Sequence, residues 1–341
     1  MVIVESGRKR QFDADLASSN SNWAPEMTLS TMRCWKENSF CRLTKPLRMG
    51  LGLLLLLGIA GLSLAQLGGG YSIARGRGGF GFGGRRGNET IPELPPDRDG
   101  VPNWTVDPHF KSDVFTFVRL RYTSVPFGST FPDGEAKSGN GWLTDFPDSD
   151  LNLPFRLHQL TSLKVDPEAK RINITDEALF NYPFVYMLEV GRLEFTENEV
   201  AILRRYLLNG GFLMIDDHWG LNEQRNFREQ IKRVFPEREL TELPLEHPIF
   251  HCVFDLKAKP QIPGINVWLR YRRTFERSDD PEPHYRAMFD DQKRMMLIEC
   301  ANTDLGDGWE REGVNEEFFH RFSEAQAYPL GINTIFYAMT H

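Results

Sequence analysis

Apolar residues recur along this chain in two rhythms, short continuous runs and helical spacing, and the two alternate. Residues 114–121 read as a strand, and residues 153–163 as a helix carrying Phe155, Leu157, Leu160 and Leu163. Residues 183–190 are almost wholly apolar, the pattern of a strand buried on both faces. Thr196 and Glu199 then form a capping box, Phe195 and Val200 a hydrophobic staple, and Val200, Leu203 and Leu207 one helix face. Asn209-Gly210-Gly211 stops that helix. A second buried strand follows at 212–215, then a helix with Phe227, Ile231, Val234 and Phe235 that Pro236 halts. Two late strands at 285–289 and 295–300 flank an Asp290-Asp291 turn. A last helix begins near Pro329, with Ile332, Ile335, Phe336 and Met339 on one face. Strands alternating with helices predict an α/β three-layer sandwich with a mostly parallel sheet covered on both faces. Residues 237–283 break the rhythm and read as an insertion.

Ahead of this body the pattern changes character. Residues 49–65 form one apolar run, preceded by Arg42, Lys45 and Arg48 and ended by Ser63-Leu64-Ala65, a small-x-small pattern suited to signal peptidase. The run is read as a signal peptide or, being just long enough to span a bilayer, as a membrane anchor. Residues 1–48 are a polar N-terminal extension, or the product of a start codon assigned too early, with Met27 or Met32 as alternatives. Residues 66–112 read as a linker, Gly/Arg-rich over 68–87 and then Pro-rich, beginning to dock through Trp104. The expected domain is therefore 113–341, in a protein exported to the periplasm or beyond.

Charge sharpens the division. The chain of 341 residues carries a net charge of −7, but from Asn88 onward 28 basic residues face 42 acidic ones, a balance of −14. Such a body excludes nucleic acid as a partner, since phosphate backbones need a basic face. A single long apolar run excludes a multi-span membrane protein, leaving contact with a membrane only through the N-terminal segment. Cys252 and Cys300 lie in the body, in segments read as strands, as two buried thiols or one disulfide.

Ligands of open parallel sheets bind beyond the carboxyl ends of the strands, so polar residues directly after strands are the candidates for chemistry. Asp216, Asp217 and His218 follow the strongest strand, Glu189 closes the one before it, and Glu299, Asn302 and Asp304 close the last. Asp145, Asp148 and Asp150 precede the first helix. Trp142, Trp219 and Trp309 accompany these acids, with Asp307 and Glu310 beside Trp309. Carboxylates beside indole faces suit a sugar-like ligand, while Trp residues plugging the sheet rim are the structural alternative. Asp216-Asp217-His218 has three readings: a divalent-metal site helped by Asp145 or Glu189, an acid and base pair, or a helix-capping turn. His-Glu-x-x-His, Gly-x-Ser-x-Gly and Walker fingerprints are absent, and the glycines of 78–84 are low complexity outside any strand–helix context rather than a dinucleotide fingerprint. His247 and His251 read as loop packing and His320 as a partly buried histidine.

Four segments together resemble a bacterial family, the domain of unknown function 4159: Phe115-Thr-Phe-Val-Arg-Leu-Arg-Tyr122, residues 142–153, Leu179-Phe-Asn-Tyr-Pro-Phe-Val-Tyr-Met187 and residues 204–217. The resemblance implies a class I glutamine amidotransferase-like, flavodoxin-type sandwich and no established activity. Asn209–Asp217 and His247-Pro248-Ile249 are also similar to the trehalose-utilisation-like branch of that superfamily. Its amidotransferases carry a nucleophilic Cys in a Gly-x-Cys-x-Gly elbow, and Cys252 and Cys300 lack those glycines, so glutamine hydrolysis is not expected. The expectation is a module that binds an envelope protein or carbohydrate-like ligand through its acidic edge. The alternative is a hydrolase-like enzyme using Asp216, Asp217 and His218 with Glu189 or Asp145. No organic cofactor is expected, and a divalent metal is the one candidate.

Overall fold

The continuous apolar runs become the centre of the sheet. The computed structural model describes residues 92–110, 113–122 and 141–341. Within them lies a seven-stranded, mostly parallel sheet: β1 (Val118–Arg121), β2 (Lys170–Asn173), β3 (Phe184–Leu188), β4 (Phe212–Asp216), β5 (Thr241–Glu242), β6 (His284–Phe289) and β7 (Met295–Ala301). The order is β2-β1-β3-β4-β7-β6-β5. The first five of these run parallel, while β6 returns antiparallel to β7 and carries the two-residue β5 at its outer edge.

Side chains alternate across the sheet and feed two cores. On the first face, Phe117, Tyr186, Met214 and Ile298 meet α1 (Asp148–Leu160), a short α5 (Leu305–Glu310) and the C-terminal helices. On the second, Val185, Met187, Leu213 and Ile215 meet α2 (Glu197–Leu208) and α3 (Gly220–Val234). The Thr196/Glu199 capping box is present, and Gly210 leaves α2 with φ +103°. Residues 237–283 hold β5 and α4 (Ile265–Tyr271) among loops. The chain ends in one helical run, α6 (Glu316–Phe318), a π-helical stretch Phe319–Ala327 and α7 (Tyr328–Thr340). The first half of α7 is buried all round, whereas Met339 is exposed, so a one-sided stripe describes that helix poorly.

Three elements differ from the periodicity reading, the first being the strand expected at 114–121, which is a ladder only over Val118–Arg121 with an isolated bridge at Phe115. The helix expected at 153–163 begins five residues earlier, at Asp148, and ends at Leu160. Its first turns are polar yet buried, because Asp150 and Ser149 bind Arg119 and the Asn152 amide donates to Trp309 O (2.9 Å). The strand β2 was missed because a sheet edge of Lys-Arg-Ile-Asn has no apolar run. Cys252 lies in a turn rather than a strand, its thiol against Asn333 O, and Cys300 is buried in β7, so the two are unpaired.

The extension 1–48, the run 49–65 and the Gly/Arg-rich stretch 68–87 lie outside the described residues. Among the described residues no helix is long and apolar enough to cross a membrane. From the linker, the Trp104 indole donates to Val165 O (2.7 Å) and stacks on His158, and Arg98 is buried with its guanidinium on Pro167 O.

One ionic contact organises the β1 side of the sheet. Arg119 is fully buried in β1, opposite Tyr186 of β3. Its Nε–H and one Nη2–H go to the Asp150 carboxylate, the other Nη2–H to Ser149 Oγ (2.7 Å), and Nη1 donates to Trp142 O (3.0 Å) and Thr144 O (2.7 Å). Every guanidinium donor is thereby used, which is the condition for burying the charge. Replacing Arg119 by Met should strand the Asp150 charge and cost about 3 kcal/mol or more in urea denaturation. Arg119→Lys should rescue little of this, since one ammonium cannot reproduce the planar fork.

Candidate functional site

The parallel strands end in backbone turns of one kind. Glu189, Asp217 and Asn302 are the first residues after β3, β4 and β7, and each has positive φ (53°, 51° and 58°); Asp145, ahead of α1, has φ 62°. Non-glycine residues in this conformation are uncommon and cluster where a site imposes them. Here the turns bring carboxylates together. Asp145, Asp217 and Asp304 come from the connections preceding α1, α3 and α5, and each offers an oxygen within 4.8 Å of the others'. Asp145, Asp307 and Glu310 form a second such group sharing Asp145. All but Glu310 are buried.

Close backbone approach makes this packing feasible. A Cβ on Gly306 would lie 2.0 Å from Asp145 Oδ2, and one on Gly264 would meet Glu276 Oε1, with Asp304 and Asp307 carboxylates just beyond. The Asp217 amide donates to Thr303 O (3.2 Å), and Asp304 caps α5 by accepting from the Asp307 amide (2.7 Å). Asp307 also accepts from the Ile265 amide and from Arg311 Nε (2.9 Å), the cation on the rim.

Asp216 stands beneath the group. Its Oδ2 accepts from the Tyr186 hydroxyl (3.1 Å) and from the amides of Leu305 (2.8 Å) and Gly306 (3.1 Å), so it seats the start of α5. Two buried oxygens, Asp216 Oδ1 and Asp145 Oδ2, have no hydrogen-bond partner among the described residues. Burial, followed by the charges of Asp307, Glu310 and Asp217, pushes the Asp145 carboxyl well above the usual range. Burial, then Asp217 and Asp307, does the same to Asp304. Burial also lifts Asp216 to about 7 against its three hydrogen bonds, and Glu310 to about 7 with the help of Asp307.

The contiguous trio Asp216-Asp217-His218 does not form one site. His218 turns to the second face, where its Nε2 meets Glu299 Oε1 (3.1 Å) and its ring packs on Phe227 of α3. Arg286 of β6 completes that buried network at Glu299 Oε2 (3.1 Å). Burial works to raise the Glu299 carboxyl, but His218 and Arg286 hold it below its usual value. Glu189 stays outside both converging carboxylate groups and its carbonyl accepts from the Tyr122 hydroxyl (2.8 Å).

The three tryptophans are not stacking platforms: Trp142, Trp219 and Trp309 are 3%, 1% and 0% exposed. Each is used internally, Trp142 beneath Arg121, Trp309 against Tyr186, and Trp219 donating its indole N–H to Asp217 Oδ1 (2.8 Å). Asp148 and Asp150 belong to the first turn of α1, and Asp150 serves Arg119. His247 and His251 pack in their loop, whereas His320 is exposed and pairs with Glu324 rather than being partly buried.

Sequence reasoning passed over Arg119, Tyr186, Gly264, Gly306 and Glu276. Only Arg119 left a signal, a charge at an inward position of an apolar strand. Beside the cluster opens a polar cleft of about 300 Å³ lined by Trp219, Glu223, Arg273, Glu276 and Arg277 among others.

An acid that titrates higher folded than unfolded binds an extra proton in the native state between the two values. Asp216, near 7 when folded and about 3.9 when unfolded, therefore lowers stability as pH rises across that window. Asp216→Asn keeps a side-chain oxygen for the α5 amides and removes the titration. Urea denaturation in a chelator should show wild type losing at least about 2 kcal/mol relative to this variant between about pH 5 and 7.5; parallel pH profiles would contradict it.

The model of the family described as Domain of unknown function (DUF4159) matches residues 116–339. No curated protein matches the chain. The matched stretch is more than half of the chain and takes in Arg119 and every carboxylate of the cluster, and the chain belongs to the DUF4159 family.

Proposed function

We propose that the carboxyl edge of the sheet binds a divalent cation through Asp145, Asp217 and Asp304, with Asp307 and Glu310 adjoining. The observation that carries this reading is the convergence of three buried carboxylates whose oxygens lie within 4.8 Å of one another. Like charges held together away from water are costly unless protons or a cation offset them. Five oxygen donors with neither thiol nor imidazole suit Mg²⁺, Mn²⁺ or Ca²⁺ rather than zinc.

The adjoining cleft is the place for a ligand that would complete the cation's shell, since Glu276 both lines it and approaches Asp304 and Asp307 at Gly264. The protein is thus a cation-dependent ligand-binding module. A second reading, metal-assisted hydrolysis, draws on Glu310, the carboxylate of the two groups that is only half-buried and is therefore placed to exchange a proton with a ligand at the rim. The order of the five parallel strands corresponds to the 2-1-3-4-5 order of flavodoxin-like sheets, which supports the amidotransferase-like reading of the fold. Export remains our reading of residues 49–65, and with it a ligand or partner in the envelope.

Thermal unfolding of the full chain with Mn²⁺, Mg²⁺ or Ca²⁺ tests the cation. At a hundred-fold excess over Kd the stabilisation should be about 2.7 kcal/mol, a rise of roughly 5–10 °C for a body of this size. Trp219 emission should change with it, because its indole is bonded to Asp217. Asp145→Asn with Asp304→Asn should abolish both responses while raising metal-free stability at neutral pH, since it removes repulsion. Absence of any metal response in wild type would defeat the proposal. Metal-dependent turnover of aryl phosphates or glycosides, lost in Glu310→Gln, would favour the hydrolase.

A further inference from the structure

We infer that a second cleft, toward the C-terminal end of α3, is a binding site for a phosphorylated small molecule. The cleft has a volume of about 360 Å³ and lies where α3, the turn after it and β6 meet, lined by Arg228, Ile231, Lys232, Arg238, Glu239, Leu240, Arg286 and Met288. Arg228, Lys232, Arg238 and Arg286 bring four cationic side chains to one cleft, with Glu239 the acid in its lining. Converging cationic donors are what an anionic ligand requires.

Donor capacity remains at this cleft. Lys232 is paired with Glu239, Arg238 with Asp291, and Arg286 with Glu299 and Glu242. Arg228, by contrast, makes no ion pair among the described residues; its hydrogen bond goes to the neutral Gln224 amide oxygen (3.1 Å). The Arg238 Nε–H is buried without a hydrogen-bond acceptor among them and stands 3.8 Å from Glu237 Oε1. Guanidinium forks bind phosphoryl oxygens in pairs, and a dianion matches several converging cations better than a single carboxylate does. Ile231 and Met288 are buried and Leu240 half-buried, giving the cleft an apolar floor. The volume leaves room for a small organic group on that floor beside the phosphoryl group.

This site is independent of the carboxylate cluster, which lies at the strand ends, so its test is run in a chelator. Calorimetric titration of the full chain with inorganic phosphate and with phenyl phosphate, at constant ionic strength, should give saturable binding. Phenyl phosphate should bind more tightly because its ring covers the apolar floor. Arg228→Ala and Lys232→Ala should each weaken binding about ten-fold or more. Arg225→Ala, an exposed neighbour on α3 outside the cleft, should leave it unchanged. Absence of saturable binding, equal affinity in Arg228→Ala, or equal weakening by Arg225→Ala would overturn the inference. Sedimentation with phosphatidate vesicles without binding of free phenyl phosphate would also overturn it, placing the anion on a lipid headgroup.

Discussion

A guanidinium with no access to water dictates how the chain must run around it. Arg119 sits in an otherwise apolar strand, and the cost of burying its charge is offset only because Asp150, Ser149 and two backbone carbonyls satisfy all its donors. Those acceptors belong to the segment that enters α1, so one strand residue sets the path of residues 142–150. Asp145 lies within that path, and its position at the carboxyl edge follows from the arginine beneath it. Removing either charge of the pair would leave the other stranded.

The opposite situation holds a few residues away. Asp216, Asp145 and Asp304 are buried without a cation bonded to them among the described residues, and the proton affinity of each is raised. Backbone amides of α5 and the Tyr186 hydroxyl hold Asp216, and Arg311 offsets Asp307 and Glu310 at the rim, but Asp145 and Asp304 face mainly other acids. A fold tolerates such repulsion where something outside the chain relieves it, a proton at low pH or a cation at neutral pH. Gly306 and Gly264 are part of the same arrangement, because any side chain there would force the carboxylates apart.

The sheet separates two kinds of polar chemistry that are neighbours in sequence. Asp216 and His218 are two residues apart, yet one seats α5 on the first face and the other joins Glu299 and Arg286 on the second. The His218–Glu299–Arg286 network gives its buried carboxylate a cationic partner, and it joins the turn after β4 to the β6–β7 hairpin. In the acidic cluster Asp145 and Asp304 have no such partner among the described residues. That contrast, rather than the density of polar residues, marks where chemistry is concentrated.

Much of the architecture was legible from residue order alone. Continuous apolar runs marked β3, β4 and β7, the Thr196/Glu199 box and Gly210 bounded α2, and Pro236 bounded α3, because these signals act locally on the backbone. The strand-end rule also brought Asp217 and Asp304 into view as candidates, and Asp145 was named in the loop before the first helix. What the linear order could not carry was direction and company. It grouped Asp216 with His218 because they are near neighbours, whereas the positive φ of Asp217 (51°) turns the chain out of the strand between them. It left three Trp residues open between ligand platforms and plugs of the sheet rim, and packing drew them inward. The true partners of Asp217 lie some seventy residues before it and ninety after it, and only closure of the parallel sheet brings those turns together. Local propensity is a property of neighbouring residues, but a buried cluster of like charges exists only once distant strand ends share one edge.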